Sequence, residues 1–258
     1  MSENRNRTYF LSDAHLGGRF VTDPAEHERQ VVALLDSMAK DAKAVYLLGD
    51  MLDFWFEYKN VVPKGFTRFF GAIARLTDAG IPVYWFKGNH DMWTQGYLAK
   101  ELGVTVVEND LMTEIDGKTF YLSHGDACGP MKKSYKVLRG IFRNEFCRRI
   151  GAALHPRTLL GFGNWWSCHN RQRHPDATEP AYYMGADKEP QMIFAREYSK
   201  EHPEVDYYIM GHRHIAVTRP VPGSHATLTI LGDCFRTLTY ARFDGQNLHL
   251  EQNASASF

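Results

Sequence analysis

Five times in this chain an apolar run of strand length stops abruptly at a short stretch of Asp, His or Asn: "YFLSDAHLG", "VYLLGDMLD", "VYWFKGNHD", "FYLSHGD" and "YYIMGHRH". A run of consecutive apolar residues reads as a buried strand. A histidine or carboxylate at the end of such a strand is costly to bury unless it has a partner. In open α/β sheets, ligands bind at the carboxyl ends of strands. The pattern therefore demands a fold that brings several strand ends together around something that satisfies these groups.

The segments between the motifs fit such a fold. Residues Thr8 to Ser12 and Ala44 to Asp50 read as buried strands, as do "IPVYWFKGN", "VTVVEN" and "TFYLSHGD". Ala25 to Ala39 has helical spacing, with Val31, Val32, Leu34, Leu35 and Met38 on one face, and Gly65 to Asp78 is a second helix that Gly80 stops. Strands alternating with helices indicate an α/β layer architecture. In the C-terminal third, "TLTILGD", "TLTYARF" and "LHLEQ" read as a β-meander with "DGQN" as a hairpin turn, and "NASASF" as a frayed tail. The expectation is an α/β (α+β) sandwich flanked by helices.

The chain has 258 residues, enough for one large domain with an insertion. Its formal net charge is zero, so total charge makes no case for a nucleic-acid partner. The polar start "MSENRNRTYF" lacks a signal-peptide core, and no apolar run is long enough for a spanning helix. Cys128, Cys147, Cys168 and Cys234 are widely spaced without a CxxC pair. They suggest neither a disulfide framework nor a thiolate zinc site, and a reduced, cytoplasmic location is expected.

Charge is distributed unevenly. Between Met131 and Arg173 ten Lys or Arg residues face one acid, Glu145, a local balance of +9. Leu138, Phe142 and Phe146 fall on one helical face, with Tyr135 and Ile150 alongside, and "LLGFGNWWS" follows. This reads as a helical insertion carrying cationic and apolar surface together. The expected division is a core of residues 1–127 and 178–258 and a helical cap at 128–177.

The motifs supply carboxylate, imidazole and amide oxygen, and no thiolate, which is a donor set for divalent transition metals. Asp13 with His15, and His212 with His214, are spaced so that alternate residues on a strand share a face while Arg213 points elsewhere. Glycines beside the ligands permit tight turns and close approach to a metal or phosphate. Two metals about 3.5–4 Å apart can clamp a phosphoryl group and hold a bridging hydroxide for in-line attack. Manganese, iron and zinc all accept these donors.

The order DxH, GDxxD, GNHD, HGD, GHxH, running from Asp13 to His214, resembles the calcineurin-like metallophosphoesterases. The resemblance implies that Asp13, His15 and His214 bind one metal, that Asn89, His124 and His212 bind the other, and that Asp50 bridges them. It also implies that His90 approaches the phosphoryl oxygen or leaving group, that Asp53 orients it, and that the two ions are manganese. Within that superfamily, "YFLSDAHLG", "YLLGDMLDFWFEY", "GNHDMW" and the position of the basic insertion resemble the UDP-2,3-diacylglucosamine diphosphatases of lipid A biosynthesis. The best-known of these carry arginine where this chain has His90.

That second resemblance implies hydrolysis of a nucleotide-sugar lipid to UMP and 2,3-diacylglucosamine 1-phosphate, under a cap that holds the acyl chains. Arg171, Arg173, Trp166 and Asn170 are the expected substrate contacts. Phe54, Trp55, Phe56 and Tyr58 are open between core packing and an apolar wall near the acyl chains. A cationic, apolar cap is also a candidate for peripheral contact with an anionic inner membrane. Neither a nucleic-acid nor a protein partner is expected. A broader metal-dependent phosphodiesterase or nuclease, and an inactive scaffold with the same fold, are the rival readings.

Overall fold

A computed structural model of the protein describes residues 5–131, 133–173 and 182–253, leaving aside the side chains at 164, 167, 168 and 170–173. Its frame is a pair of sheets. The first has six strands in the order β11 (Leu248–Gln252), β10 (Thr239–Phe243), β1 (Arg7–Leu11), β2 (Ala42–Leu47), β3 (Val83–Phe86) and β4 (Thr105–Val107). The second has five: β5 (Leu111–Ile115), β6 (Lys118–Ser123), β7 (Tyr207–Met210), β9 (Thr227–Leu231) and β8 (Ala216–Pro220). Strands β1 to β4 run parallel, and so do β6, β7 and β9.

The unbroken apolar character of β1 to β3 follows from burial on both faces. Tyr9 and Leu11 of β1, Val45 and Leu47 of β2, and Val83 and Trp85 of β3 face the helices α1 (Pro24–Met38) and α2 (Thr67–Asp78). The alternate residues Phe10, Tyr46 and Phe86 face the second sheet. There they meet Phe120, Leu122, Ile209 and Leu231 across the sandwich. Phe120 is fully buried, stacked on Phe10 with centroids 5.7 Å apart and on Tyr207 at 4.9 Å, with Phe243 edge-on at 5.0 Å. The outer face of the second sheet is covered by α7 (Pro190–Glu201) through Met192 and Ala195.

Local chemistry sets the helix ends. Asp23 caps α1, accepting from the backbone N–H groups of Ala25 and Glu26 at 3.1 and 3.0 Å, and Pro24 opens the first turn. Gly80, two residues beyond α2, has φ +74°, a left-handed conformation suited to glycine.

Two expectations change. The three C-terminal segments are not a meander. Only β10 and β11 form a hairpin, with Phe243 opposite Leu248, whereas β9 pairs with β7 and β8 in the other sheet. The chain crosses between sheets at Gly232–Leu238, where Asp233 accepts from the backbone N–H groups of Arg236 and Thr237. Strand β5 has no counterpart in the sequence reading. It forms a hairpin with β6 across Asp116 and Gly117, both at positive φ, a two-residue turn that suits "DG".

Three helices, α4 (Lys133–Arg143), α5 (Glu145–Ala153) and α6 (Pro156–Arg173), follow the fourth motif. Leu138, Phe142 and Phe146 do not share one continuous helical face. Asn144 ends α4 and caps α5, accepting from Phe146 and Cys147, so Phe146 turns outward and is 71% exposed. No helix among the described residues is long and apolar enough to cross a membrane. Short α3 (Tyr97–Leu102) completes the set.

Removal of a large ring from the contact between the sheets should be costly because the remaining rings cannot collapse fully. Phe120→Ala is expected to lower the unfolding free energy by about 3–5 kcal/mol, read from the midpoint of urea denaturation. A loss below about 1 kcal/mol would mean that the sandwich core is not packed through this ring.

Candidate metal centre

The five motifs converge. Asp13 and His15 follow β1, Asp50 and Asp53 follow β2, Asn89 and His90 follow β3, His124 follows β6, and His212 and His214 follow β7. The first three strands are adjacent and parallel in one sheet, and β6 and β7 are adjacent and parallel in the other. The site thus lies where the carboxyl ends of both sheets meet.

The backbone achieves this by a different device from strand alternation. Strand β1 ends at Leu11 and β7 at Met210, before the ligand pairs. Asp13, His15, Asp50, His212 and His214 all adopt left-handed conformations, with φ between 44° and 69°. Each such residue costs on the order of 1 kcal/mol or more. The concentration of these residues at one place marks turns shaped for the site rather than for stability. Glycine is required beside them: a Cβ on Gly88 would lie 2.1 Å from Asp50 Oδ1, and one on Gly49 would lie 2.8 Å from His124 Nδ1.

Three groups of donors result, and two of them, around Asp13 and around Asp50, are joined by a third, His15 with Asp53 and His90, that shares His15 with the first. In the first, Asp13 Oδ1 is 3.1 Å and His15 Nε2 3.3 Å from His214 Nε2. In the second, His124 Nε2 lies 3.3 Å from Asp50 Oδ2 and 3.1 Å from Asn89 Oδ1, and His212 completes the cluster. Asp50 Oδ2 is also 3.8 Å from His15 Nε2, so it stands between the groups. Donors bound at about 2.1 Å to one ion lie about 3 Å apart. The spacing, the buried acids and the mixture of oxygen and imidazole nitrogen all fit divalent metal ions.

Electrostatics point the same way. Burial works to raise the Asp13 carboxyl, but the His214 and His15 imidazoles outweigh it and hold it well below the usual carboxylate range. Asp50 behaves alike, with burial opposed by His124 and His90. Burial works to lower His124, yet the Asp50 carboxylate pushes it up to about 10. His212 is pushed down to about 4 by burial and by the neighbouring His124. Two fully buried carboxylates thus draw positive charge into the pocket, and divalent cations satisfy that demand.

The supporting residues are as specific as the donors. His124 Nδ1 donates to the Leu48 carbonyl at 2.8 Å, which directs Nε2 to the second group. Asp53 Oδ1 lies 3.2 Å from His15 Nδ1, on the side of the ring away from the first group. That is the arrangement by which carboxylates orient metal-ligating imidazoles. His90 Nδ1 donates to the Asp53 carbonyl at 2.7 Å, while the Asp53 carboxylate is 3.7 Å away. Arg213 points away from the site to Glu189, its Nε donating at 2.8 Å.

One residue with no assigned role in the sequence reading is Asp91. It accepts the backbone N–H groups of Gly88, Met51 and Asp50 at 2.9, 2.9 and 3.2 Å, tying two ligand loops together. Burial and the Asp50 charge push its carboxyl up to about 6. Its place at the end of GNHD was the available signal. Asp126, two residues after His124, is the other. It pairs with Arg139 at 2.7 Å and Arg143 at 3.8 Å, joining α4 to the site.

A cavity of about 640 Å³ opens beside Asp53, Asn89 and His90 and runs under α4 to α6. Its wall is largely apolar, with Phe54, Phe56, Leu138, Phe142, Leu159 and Phe162 among the lining residues. The open question about "DFWFEYK" resolves by alternation. Phe54 and Phe56 line the cavity, whereas Trp55 is fully buried in the core against Phe66, Phe70 and Tyr97. Gly163 lets Phe54 pack against α6, since a Cβ there would lie 2.3 Å from its ring. Trp166 lines the cavity, as do Arg139 and Arg148. The side chains of Asn170, Arg171 and Arg173 lie outside the described residues.

The chain is similar to known hydrolases and phosphatases. A UDP-2,3-diacylglucosamine hydrolase of Porphyromonas gingivalis is 44% identical over 256 residues, 96% of this chain and 97% of that enzyme. One from Edwardsiella ictaluri is 25% identical over 94% of this chain and 90% of its own length. A solved dimetal phosphatase from Danio rerio has a TM-score of 0.50 at 12% identity, covering 96% of each chain, and shares the fold alone. The family model of the calcineurin-like phosphoesterases matches residues 7–216, which span all five motifs. With motif order, strand topology and family match in agreement, this chain belongs to the calcineurin-like phosphoesterase family.

Proposed function

We propose that this protein hydrolyses the diphosphate bond of UDP-2,3-diacylglucosamine, releasing UMP and 2,3-diacylglucosamine 1-phosphate. The observation that carries this is an apolar cavity opening on His90 and Asn89, in a chain 44% identical over nearly its full length to an enzyme of that name. A diphosphate carrying two acyl chains needs cations and an apolar wall within reach of each other. Burial of the chains contributes roughly 0.8 kcal/mol per methylene. Residues 128–177 act as the cap that supplies this wall.

In this reading Asp13, His15 and His214 would hold one divalent ion, Asn89, His124 and His212 would hold a second, and Asp50 would serve both. Such ions, manganese in our assignment, would neutralise phosphoryl oxygens and supply a water-derived nucleophile at neutral pH. The chain's own residues do the rest. Asp50 Oδ1 is anchored by the His90 backbone N–H at 2.8 Å, leaving Oδ2 for the bridge. With His90 Nδ1–H committed to the Asp53 carbonyl, Nε2 is the atom that faces the substrate, and it donates to a phosphoryl or leaving oxygen when it too carries a proton. Asp53 positions both His15 and His90. The apolar cavity wall excludes water from the acyl side and so fixes which side of the diphosphate the sugar lipid occupies.

The outward surface of the cap suits a lipid substrate. Val137, Phe146 and Ile150 are 64%, 71% and 51% exposed, close in sequence to the outward-facing Arg149. This surface docks the enzyme on anionic bilayer, where its substrate resides.

With manganese supplied, the protein is expected to release UMP from the diacylated UDP-sugar at least tenfold faster than it cleaves bis-p-nitrophenyl phosphate, cyclic AMP or single-stranded DNA. Comparable rates on all four would remove the substrate assignment and leave the family intact. Asp50→Ala should reduce turnover by at least a thousandfold and lower the bound metal measured by mass spectrometry; substantial turnover would mean that the bridge lies elsewhere. Co-sedimentation with anionic vesicles, reduced in Phe146→Asp, is the expected sign of membrane docking, and equal recovery with zwitterionic vesicles would count against it.

A further inference from the structure

The two imidazoles of the second group, His124 and His212, come from separate loops, and one side chain of α7 touches both. Gln191, in the first turn of α7, is buried, and its Nε2 donates to the Gly211 carbonyl at 2.9 Å. The same side chain packs against the loop after His124, where a Cβ on Gly125 would lie 2.1 Å from Gln191 Nε2. Gly211 in turn donates its backbone N–H to the His124 carbonyl at 3.1 Å. Gln191 thus sits against the neighbour of each imidazole. Close by, the buried Glu189 carboxylate accepts from Arg213 Nε at 2.8 Å and fastens the start of α7 to the residue after His212.

The turn that Gln191 holds is strained. Arg213 donates its backbone N–H back to the Gly211 carbonyl at 2.8 Å, closing a three-residue turn with His212 at its centre, at φ 69°. A γ-turn with positive φ at its centre is rare, and such conformations persist only where the surroundings over-determine them. Without a second hold on the Gly211 carbonyl, the turn is free to relax and carry the imidazole with it. As filling for this space an amide is a poor choice. Its Oε1 has no hydrogen-bond partner among the described residues, a penalty that an apolar side chain of similar length would avoid. What the amide adds is the bond to Gly211. We infer that Gln191 is a positioning residue of the centre, holding the Gly211 carbonyl so that His212 is aimed with His124 at the second ion. The inference rests on the two-ion reading of the centre and is independent of the substrate.

Metal binding in the absence of substrate tests it. Metal-free protein is titrated with manganese(II), and the free ion is counted by electron paramagnetic resonance. The unaltered protein is expected to take up two ions. Gln191→Met keeps the length of the side chain and removes the donor, while Gly211 retains its bond from Arg213. The metal-free variant should therefore melt close to the unaltered protein. Its affinity for one ion should fall about ten- to a hundredfold, the range for residues that orient metal ligands. The affinity for the other should stay within about twofold. Gln191→Leu, which also lacks the donor, is expected to show the same loss of one ion. Unchanged affinity for both ions in these variants would overturn the inference and leave the two-ion reading standing. Equal weakening of both ions, or a metal-free variant that melts far below the unaltered protein, would show a general structural role and overturn it as well. Uptake of a single ion by the unaltered protein would remove the two-ion reading and the inference together.

Discussion

Two buried carboxylates, Asp13 and Asp50, set the terms for the rest of the molecule. Each is almost completely shielded from water, and each lies among imidazoles that outweigh its burial and hold it well below the usual carboxylate range. Buried carboxylates need such partners, and divalent cations at the same place would serve them equally. The left-handed turns, the glycines pressed against Asp50 and His124, and the Asp91 carboxylate that ties two loops together all hold these acids among the clustered imidazoles. The sandwich is the support that gives those turns a rigid base, because ten or more aromatic and aliphatic side chains lock the sheets together behind them.

Function in this family is set by what surrounds the metals, since the same centre serves many phosphoesters. Here the surroundings include an apolar cavity between Phe54, Phe56 and the helices that follow the fourth motif. The Asp53 carbonyl fixes the His90 ring at the mouth of that cavity. At this position an imidazole, unlike a permanent cation, donates to the phosphoryl group from Nε2 only when both ring nitrogens are protonated.

The basic segment shows how composition translates into structure. Its charge is not a uniform solvated face. Arg139 and Arg143 turn inward to Asp126, Arg148 pairs with Glu145 at 3.2 Å, and Arg139 and Arg148 reach the cavity wall. The apolar residues divide in the same way, with Leu138 and Phe142 inside and Phe146 outside. The break at Asn144 produces this division. Its side chain caps a new helix and rotates the periodic pattern, so an apolar stripe counted across it is misleading.

The strand-end Asp, His and Asn residues and the layered fold were legible in the sequence because they depend on local order, whereas the division of those residues between two ions is what the family resemblance implies. Buried strands announce themselves as unbroken apolar runs, and ligands sit at fixed offsets after them. The β5–β6 hairpin escaped the sequence reading because β5 is half exposed and weakly patterned, although its Asp-Gly turn was the available signal. Tertiary structure alone decided three things. It sent β9 and β10 to different sheets, because strand pairing is a long-range choice that residue patterns do not encode. It aimed Asp13, His15, His212 and His214 through left-handed turns rather than strand alternation, because the convergence of two sheets requires a sharper change of direction than a pleat provides. It also separated Trp55 from its neighbours Phe54 and Phe56, placing one in the core and two on the cavity wall, because only the packing of α6 against that loop creates the wall.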